Sequence, residues 1–203
     1  MEKELNLNLG GGKFWKMNSW VNLEQELGYD LSKNLLSQII DDSVSKIYTS
    51  HCLEHIPPIT MFRLVRDCRR VLKQNGILRI VMPDCEKFIS ALINGERKGA
   101  LEDYKLFAKT RYEYVINMGG NTKGLDLPSP YGHFFFWTVH NLCWVLLAVG
   151  FTDIHIQDFG KSVDPVFETI AVLGVNPNNP QPVSGFDNPR QRSHSFYIEA
   201  VKS

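Results

Sequence analysis

Apolar and polar positions along the chain fall into stretches with distinct periods. Leu5, Leu7 and Leu9 alternate with Asn6 and Asn8, the period of a strand, and run straight into Gly10-Gly11-Gly12. Trp20-Val21-Asn22-Leu23-Glu24 reads as a second short strand. Only seven residues separate Gly12 from Trp20, too few for a full crossover helix, so this βαβ unit is abbreviated and one sheet face lacks an apolar helix to cover it. Leu27–Leu31 has room for a vestigial strand, and Val44–Ser50 reads as a firmer one. Pro57 and Pro58 suit a helix start. Met61, Val65, Cys68 and Leu72 then share one helical face, and Asn75-Gly76 supplies a stop. Ile77–Met82 is nearly continuous in apolar residues, as expected of a strand buried on both faces. Strand, helix and strand in this order predict a parallel pair with a right-handed crossover.

The segment 85–132 breaks this rhythm. Phe88, Ile89, Leu92 and Ile93 mark one amphipathic helix, and Leu101, Tyr104, Ala108, Tyr112 and Val115 another, before Gly119-Gly120-Asn121 and a polar loop. It reads as a helical lid inserted over the strand ends. Val139, Leu142, Leu146 and Val149 form the stripe of a further helix ended by Gly150, followed by a strand over Phe151–Gln157. Residues 174–193 are rich in Asn, Pro, Gln and Gly and read as a long loop. Phe196–Val201 closes the chain as a last strand. The sum is one α/β domain over 1–203.

Composition narrows the function classes. Lys+Arg and Asp+Glu balance at 22 each, which removes electrostatic support for sequence-independent nucleic-acid binding. The basic group Arg63, Arg66, Arg69, Arg70 and Lys73 reads as the solvated face and last turn of a helix. Cys52, Cys68, Cys85 and Cys143 form no Cys-x-x-Cys pair, arguing against a disulfide framework or a structural zinc site. The N-terminus carries no signal-peptide pattern, and the longest apolar stretch, in Leu142–Phe151, is too short to span a bilayer. The expectation is a cytoplasmic protein, monomeric or homodimeric, with a small-molecule substrate and neither nucleic acid nor membrane as partner.

Glycines directly after a strand let the backbone approach a ligand and expose amide N–H groups. Glu24, ending the next strand, is placed to accept hydrogen bonds from a ribose diol. Further motifs follow in order: Asp30-Leu31, then Ser50-His51-Cys52-Leu53-Glu54-His55-Ile56, then Arg70-Val71-Leu72-Lys73-Gln74-Asn75-Gly76 leading to Met82-Pro83-Asp84. Together with His133, Trp137, Gly150-Phe151 and the run Ser195 to Lys202, they span nearly the whole chain. The chain resembles a family of bacterial class I S-adenosylmethionine-dependent methyltransferases, often linked to surface-polysaccharide genes. Its pattern reads L-N-L-G-C-G, G-W-I-N-x-D, D-L, S-H-x-L-E-H and R-V-L-K-P-G-G. The resemblance implies a Rossmann-like seven-stranded sheet with its last strand antiparallel, and S-adenosylmethionine as cofactor. It further implies that Asn8, Gly10, Gly11 and Gly12 face the methionine part, that Glu24 holds the ribose, and that Asp30 and the Leu31 backbone read adenine. Ser50 and His51, at the end of the fourth strand, would then lie near the methionine amine and the transferred methyl. Departures are Gly11 for Cys, Glu24 for Asp, and only five residues between Glu24 and Asp30, which shortens the region around the second helix and third strand.

A competing motif is His51-x-x-Glu54-His55, the H-x-x-E-H pattern of inverted zinc peptidases. On a helix the two histidines would share a face with Glu54 as base, but Pro57 and Pro58 leave at most one turn. Some quinone-pathway O-methyltransferases hold a divalent ion with a similar E-x-x-E-H stretch, so His51, Glu54 and His55 are candidates for one, although no metal is expected. His51, Glu54 and His133 are the candidate catalytic groups, with a neutral His51 or His133 as general base. Asp84, past a strand's C-terminal end, either orients an acceptor or caps the next helix. The reading that results is methyl transfer to a small molecule, on oxygen or nitrogen, with a sugar or sugar nucleotide as first choice. Its rival is a catalytically degenerate methyltransferase fold acting as a binding module.

Overall fold

Alternation along the first strand separates the two faces of the sheet. The computed structural model describes residues 4–34, 36–94, 133–135, 137–174 and 182–203. In it, β1 (Leu5–Leu9) turns Leu7 and Leu9 into the larger apolar core, which places Asn6 and Asn8 on the other face. β2 (Trp20–Leu23) lies parallel to β1 on one side, and β3 (Val44–Ser50) lies parallel to it on the other. β4 (Leu72–Pro83) follows β3, again in parallel, with Ile47 opposite Leu78 and Ser50 opposite Val81. Beyond it come β5 (Asp153–Gln157), the short pair β6 (Val172–Leu173) and β7 (Pro182–Ser184), and β8 (Ser195–Val201). The main sheet runs β2-β1-β3-β4-β8-β5, with β8 antiparallel to both neighbours.

Six strands, not seven, make up this sheet among the described residues. The vestigial strand expected at Leu27–Leu31 is instead a 3-10 turn over Gln25–Leu27 followed by a one-turn helix, α1 (Leu31–Asn34). Gly28, at φ +92°, closes that turn, and Asp30 accepts hydrogen bonds from Ser32, so the local turn chemistry outcompetes extension. The long loop expected at 174–193 also needs correction. It contributes β7, a 3-10 turn at Pro189–Gln191 and two fully buried side chains, Phe186 and Asp187. Of the expected lid, α3 (Cys85–Ile93) is a helix; residues 95–132, including Leu101 to Val115, lie outside the described residues.

The first core face is covered by helices. α2 (Pro58–Val71) begins with Pro58 at its first turn and buries Met61, Leu64, Val65, Cys68 and Val71. It ends four residues before Asn75-Gly76: Leu72 already has extended geometry and starts β4, while Asn75, at φ +63°, makes a turn within that strand. α4 (Val139–Ala148), capped by Thr138 on the Asn141 N–H, adds Leu142 and Leu146 to the same core. The basic end of α2 is structural. Arg70 donates to the Leu36 and Ile39 carbonyls and pairs with Asp41 and Asp67, tying down the 36–41 segment.

The second face carries an aromatic layer, and among the described residues the segments that cover it contain only short turns and the β6–β7 pair. Trp15 and Trp20 from the glycine-loop connection, Tyr48 from β3, and Phe167 and Phe186 from the later loops pack together, mostly edge to face, with Tyr48 stacked on Phe167. Phe186 sits 4.9 Å from both Trp20 and Tyr48 and 5.1 Å from Phe167. The abbreviated connection after β1 therefore leaves its face to tryptophans and phenylalanines. Beside them, fully buried Arg79 makes a two-pronged contact to Asp187 (3.1 and 2.5 Å) and a 2.6 Å contact to Glu199. Glu199 stands opposite Arg79 in the β4–β8 ladder. Further donors to these two carboxylates come from Gly160, Ser162, Val163 and Gln157. Arg79→Met should leave two buried carboxylates facing each other without a cation. We expect a loss of roughly 3–5 kcal/mol in urea denaturation; a loss below about 1 kcal/mol would show that the network contributes little.

Candidate functional site

β1 sits where the sheet changes direction. The chain leaves it toward β2 on one side, while β3 and β4 extend the other, and such switch points are where open α/β sheets place ligands. The Gly10-Gly11-Gly12 loop lies at this point and its conformation requires glycine. Gly10 (φ +71°) donates to the Leu23 carbonyl at 2.9 Å, and a Cβ there would overlap Cys52. A Cβ on Gly11 would overlap the Asn8 amide and come 2.8 Å from Asn22 Oδ1. Gly12 (φ +76°) faces open space. Its N–H donates to Glu24 Oε2 and its carbonyl accepts from Asn22 Nδ2, each at 2.8 Å, so the end of β2 braces the loop. Asn8, buried beneath, has no hydrogen-bond partner for either side-chain atom among the described residues, and Asn22 Oδ1 has none. An unpaired buried amide costs free energy unless a ligand or water completes it.

The remaining sequence-predicted cofactor residues are placed less evenly. Glu24 Oε1 is only 3.5 Å from the Glu26 N–H, a weak contact. Asp30 caps α1: the Ser32 hydroxyl first, then Lys33, hold its carboxyl down to about 2. Leu31 is buried in the main core. Ser50 Oγ is 3.5 Å from Gln191 Oε1 at the end of β3.

Four of the chain's six histidines gather past the C-terminal ends of β3 and β4. His51 adopts φ +48°, an uncommon conformation for a residue with a side chain, held by its N–H to the Val81 carbonyl at 3.0 Å. Its Nε2 shares a 2.8 Å hydrogen bond with Ser195 Oγ, and its Nδ1 is 3.5 Å from Glu54 Oε1. Burial, then the nearby His194, His133 and His55, hold the His51 imidazolium well below its ordinary range. Burial also pushes the Glu54 carboxyl up to about 8. At neutral pH the His51–Glu54 contact is therefore between uncharged groups. A neutral imidazole accepts a proton, though the same low pKa makes it a weak base. The same Glu54 oxygen is 3.9 Å from His55 Nε2, and His55 and His133 meet ring to ring at 4.8 Å.

The H-x-x-E-H helix is not formed. Leu53–His55 is a single 3-10 turn, ended by Ile56 before Pro57, so His51 and His55 share no helical face. Asp84 acts as a cap, accepting from the Glu86 N–H at 3.1 Å at the start of α3. Sequence reasoning missed Asn22, Cys52, His194 and the pairing of Ser195 with His51. No periodicity marks His194. It reaches the site because β8 is antiparallel, so the residue before β8 arrives where β3 and β4 end.

An open, mostly parallel sheet with a glycine loop and an acidic residue at its switch point defines a Rossmann-like nucleotide-binding architecture. Comparison with solved structures narrows this. The chain is similar to an S-adenosylmethionine-dependent methyltransferase from Archaeoglobus fulgidus (TM-score 0.54, 15% identity, covering 99% of this chain and 87% of that one). It is similar to a Thermotoga maritima S-adenosylmethionine-dependent methyltransferase described as a possible histamine N-methyltransferase (0.51, 14%, 100% and 84%). A third, from Mesorhizobium loti, is an S-adenosylmethionine-dependent methyltransferase as well (0.50, 13%, 98% and 91%). No protein-family model and no curated protein sequence matches the chain. The fold is that of the S-adenosylmethionine-dependent methyltransferases. No helix among the described residues is long and apolar enough to cross a membrane.

His194 provides a test of how this cluster titrates. Burial, then Lys87, lowers it from 6.5 to about 4. Between those values the unfolded chain binds a proton that the folded one refuses, so stability falls as pH drops from about 6.5 to 4. The Glu54 carboxyl, raised in the fold, acts in the opposite sense. The difference between wild type and His194→Asn isolates the His194 contribution. Denaturation at pH 7, 5.5 and 4 should show wild type losing up to roughly 3 kcal/mol more than the variant. Parallel pH profiles would place His194 in contact with water.

Proposed function

We propose that this chain binds S-adenosylmethionine at the glycine loop and transfers its methyl group to a small molecule. The observation that carries the reading is the cradle at the switch point. Gly11 leaves no Cβ above the unpartnered Asn8 amide, Gly12 opens to free space, and Glu24 stands across the loop at the end of β2. Those residues fit the cofactor: buried amides offer a donor and an acceptor to an amino-acid moiety, and a carboxylate offers two acceptors to a ribose diol. Asp30 and Leu31 are assigned to the adenine, with the Asp30 carboxylate shared with Ser32 and Lys33. Ser50 and His51, at the end of β3, are assigned to the methionine amine and the transferred methyl.

When bound, S-adenosylmethionine supplies an electrophilic methyl on a sulfonium, reached by in-line displacement, so the protein's main task is alignment. His51, held by Ser195, and His133 are the groups assigned to take a proton from the acceptor. Glu54, neutral beside both His51 and His55, sets the local polarity. The acceptor nucleophile is assigned as oxygen or nitrogen, with a sugar or sugar nucleotide first. That choice rests on the resemblance to methyltransferases linked to surface-polysaccharide genes.

Isothermal titration with S-adenosylmethionine and S-adenosylhomocysteine tests the reading. Both should bind in the micromolar range. Glu24→Ala should weaken them by about 1–3 kcal/mol, roughly 5- to 150-fold, with Glu24→Gln intermediate. Failure of both ligands to bind wild type would favour a binding module built on a methyltransferase fold, and an unchanged Glu24→Ala would move the ribose to another residue.

A further inference from the structure

His51 engages Ser195 through Nε2 and keeps a 3.5 Å contact from Nδ1 to Glu54, while His133, from a distant segment, joins Glu54 and His55. One ligand-capable atom from each of Glu54, His55 and His133 lies within 4.8 Å of the other two. The backbone supports the arrangement, since the Phe134 N–H donates to the Glu54 carbonyl at 2.9 Å and holds the His133 segment against the 3-10 turn. We propose that Glu54, His55 and His133 form a binding site for a divalent metal ion of the zinc type.

The donor set points to that chemistry. Two imidazoles and one carboxylate suit Zn²⁺ and its neighbours, and three protein ligands leave a fourth position open. Polar accounting points the same way. Glu54 is 1% exposed, and neither of its oxygens has a hydrogen-bond partner among the described residues. The cost of burying a carboxylate there has no visible compensation in hydrogen bonds. A divalent ion would supply the missing counter-charge. Geometry allows it with modest motion. Tetrahedral coordination at about 2.0–2.1 Å puts ligand atoms roughly 3.3 Å apart, so no pair within the 4.8 Å bound has to close by more than about 1.5 Å, within reach of side-chain rotation. The His55 side chain is 32% exposed and gives the ion a path in. Cys52, whose thiol packs beneath Gly10, precedes Glu54 by two residues, so the segment that carries the site also borders the glycine loop. An acceptor oxygen bound at the open coordination position would be polarised toward reaction, with His133 committed to the ion and proton removal left to His51. That role depends on the methyl-transfer reading; the metal site itself does not.

The test uses the full chain, stripped with a chelator and titrated with Co²⁺ or Zn²⁺ in the absence of any methyl donor. One equivalent of Co²⁺ should bind with visible d–d absorption of a four- or five-coordinate site, and Zn²⁺ should displace it. Glu54→Gln and His133→Asn should each weaken binding at least tenfold while retaining wild-type circular dichroism. His51→Ala should keep the one-to-one stoichiometry, as should His155→Asn on the exposed part of β5. The inference is overturned if wild type binds neither ion in the micromolar range, or if binding survives His133→Asn and is lost in His51→Ala. Measuring S-adenosylhomocysteine affinity on the same samples keeps the outcomes separate, because a chain can fail either binding assay and pass the other.

Discussion

A buried guanidinium holds together the part of the molecule without long helices. Arg79 points from β4 into the face opposite α2, where burying a cation is costly unless it is paired and hydrogen-bonded. Asp187 and Glu199 pair with it, and each comes from a different part of the chain. Asp187 brings in the segment after β7, and Glu199 belongs to β8. The Lys161 backbone carbonyl accepts a further hydrogen bond from Arg79, so the loop after β5 is caught as well. Two stretches with little regular structure of their own thereby acquire a single geometry against β4 and β8.

The aromatic layer follows from the same need. A sheet face without a crossover helix still has to exclude water. Here that is done by rings on loops, with Phe186 adjacent to the residue that grips Arg79 and Trp15 donating through its indole N–H to the Gly185 carbonyl at 2.8 Å. The ion network and the aromatic packing are thus two halves of one contact. Together they hold the glycine loop, because Trp15 and Trp20 lie on the connection between Gly12 and the end of β2. The position of Glu24 opposite Gly12 is an outcome of that packing.

Much of this was legible in the residues. The Leu5–Leu9 alternation, the seven-residue gap after Gly12, the Pro57-Pro58 start and the apolar run at Ile77–Met82 each encode a local preference strong enough to survive folding. The shortness of the gap also announced that one face would lack a helix. The errors came where local pattern was weak or ambiguous. Leu27–Leu31 has too few residues for periodicity to discriminate, and the capping chemistry of Gly28 and Asp30 prevailed. Residues 174–193 have the composition of a loop, yet composition cannot foresee that one phenylalanine and one aspartate will be buried by a partner more than a hundred residues away.

The candidate site divides along the same line. The sequence by itself determined the glycine loop, the acid following the second strand and the H-x-x-E-H stretch, because these depend on residues near one another in the chain and on backbone conformations that only glycine adopts cheaply. Only the tertiary structure decided which histidines act together. The short 3-10 turn split His51 from His55. The antiparallel direction of β8 delivered His194 and Ser195 to His51, and the backbone contact at Phe134 brought His133 to Glu54. Strand direction and long-range hydrogen bonds are properties of the assembled sheet, and no window of sequence contains them.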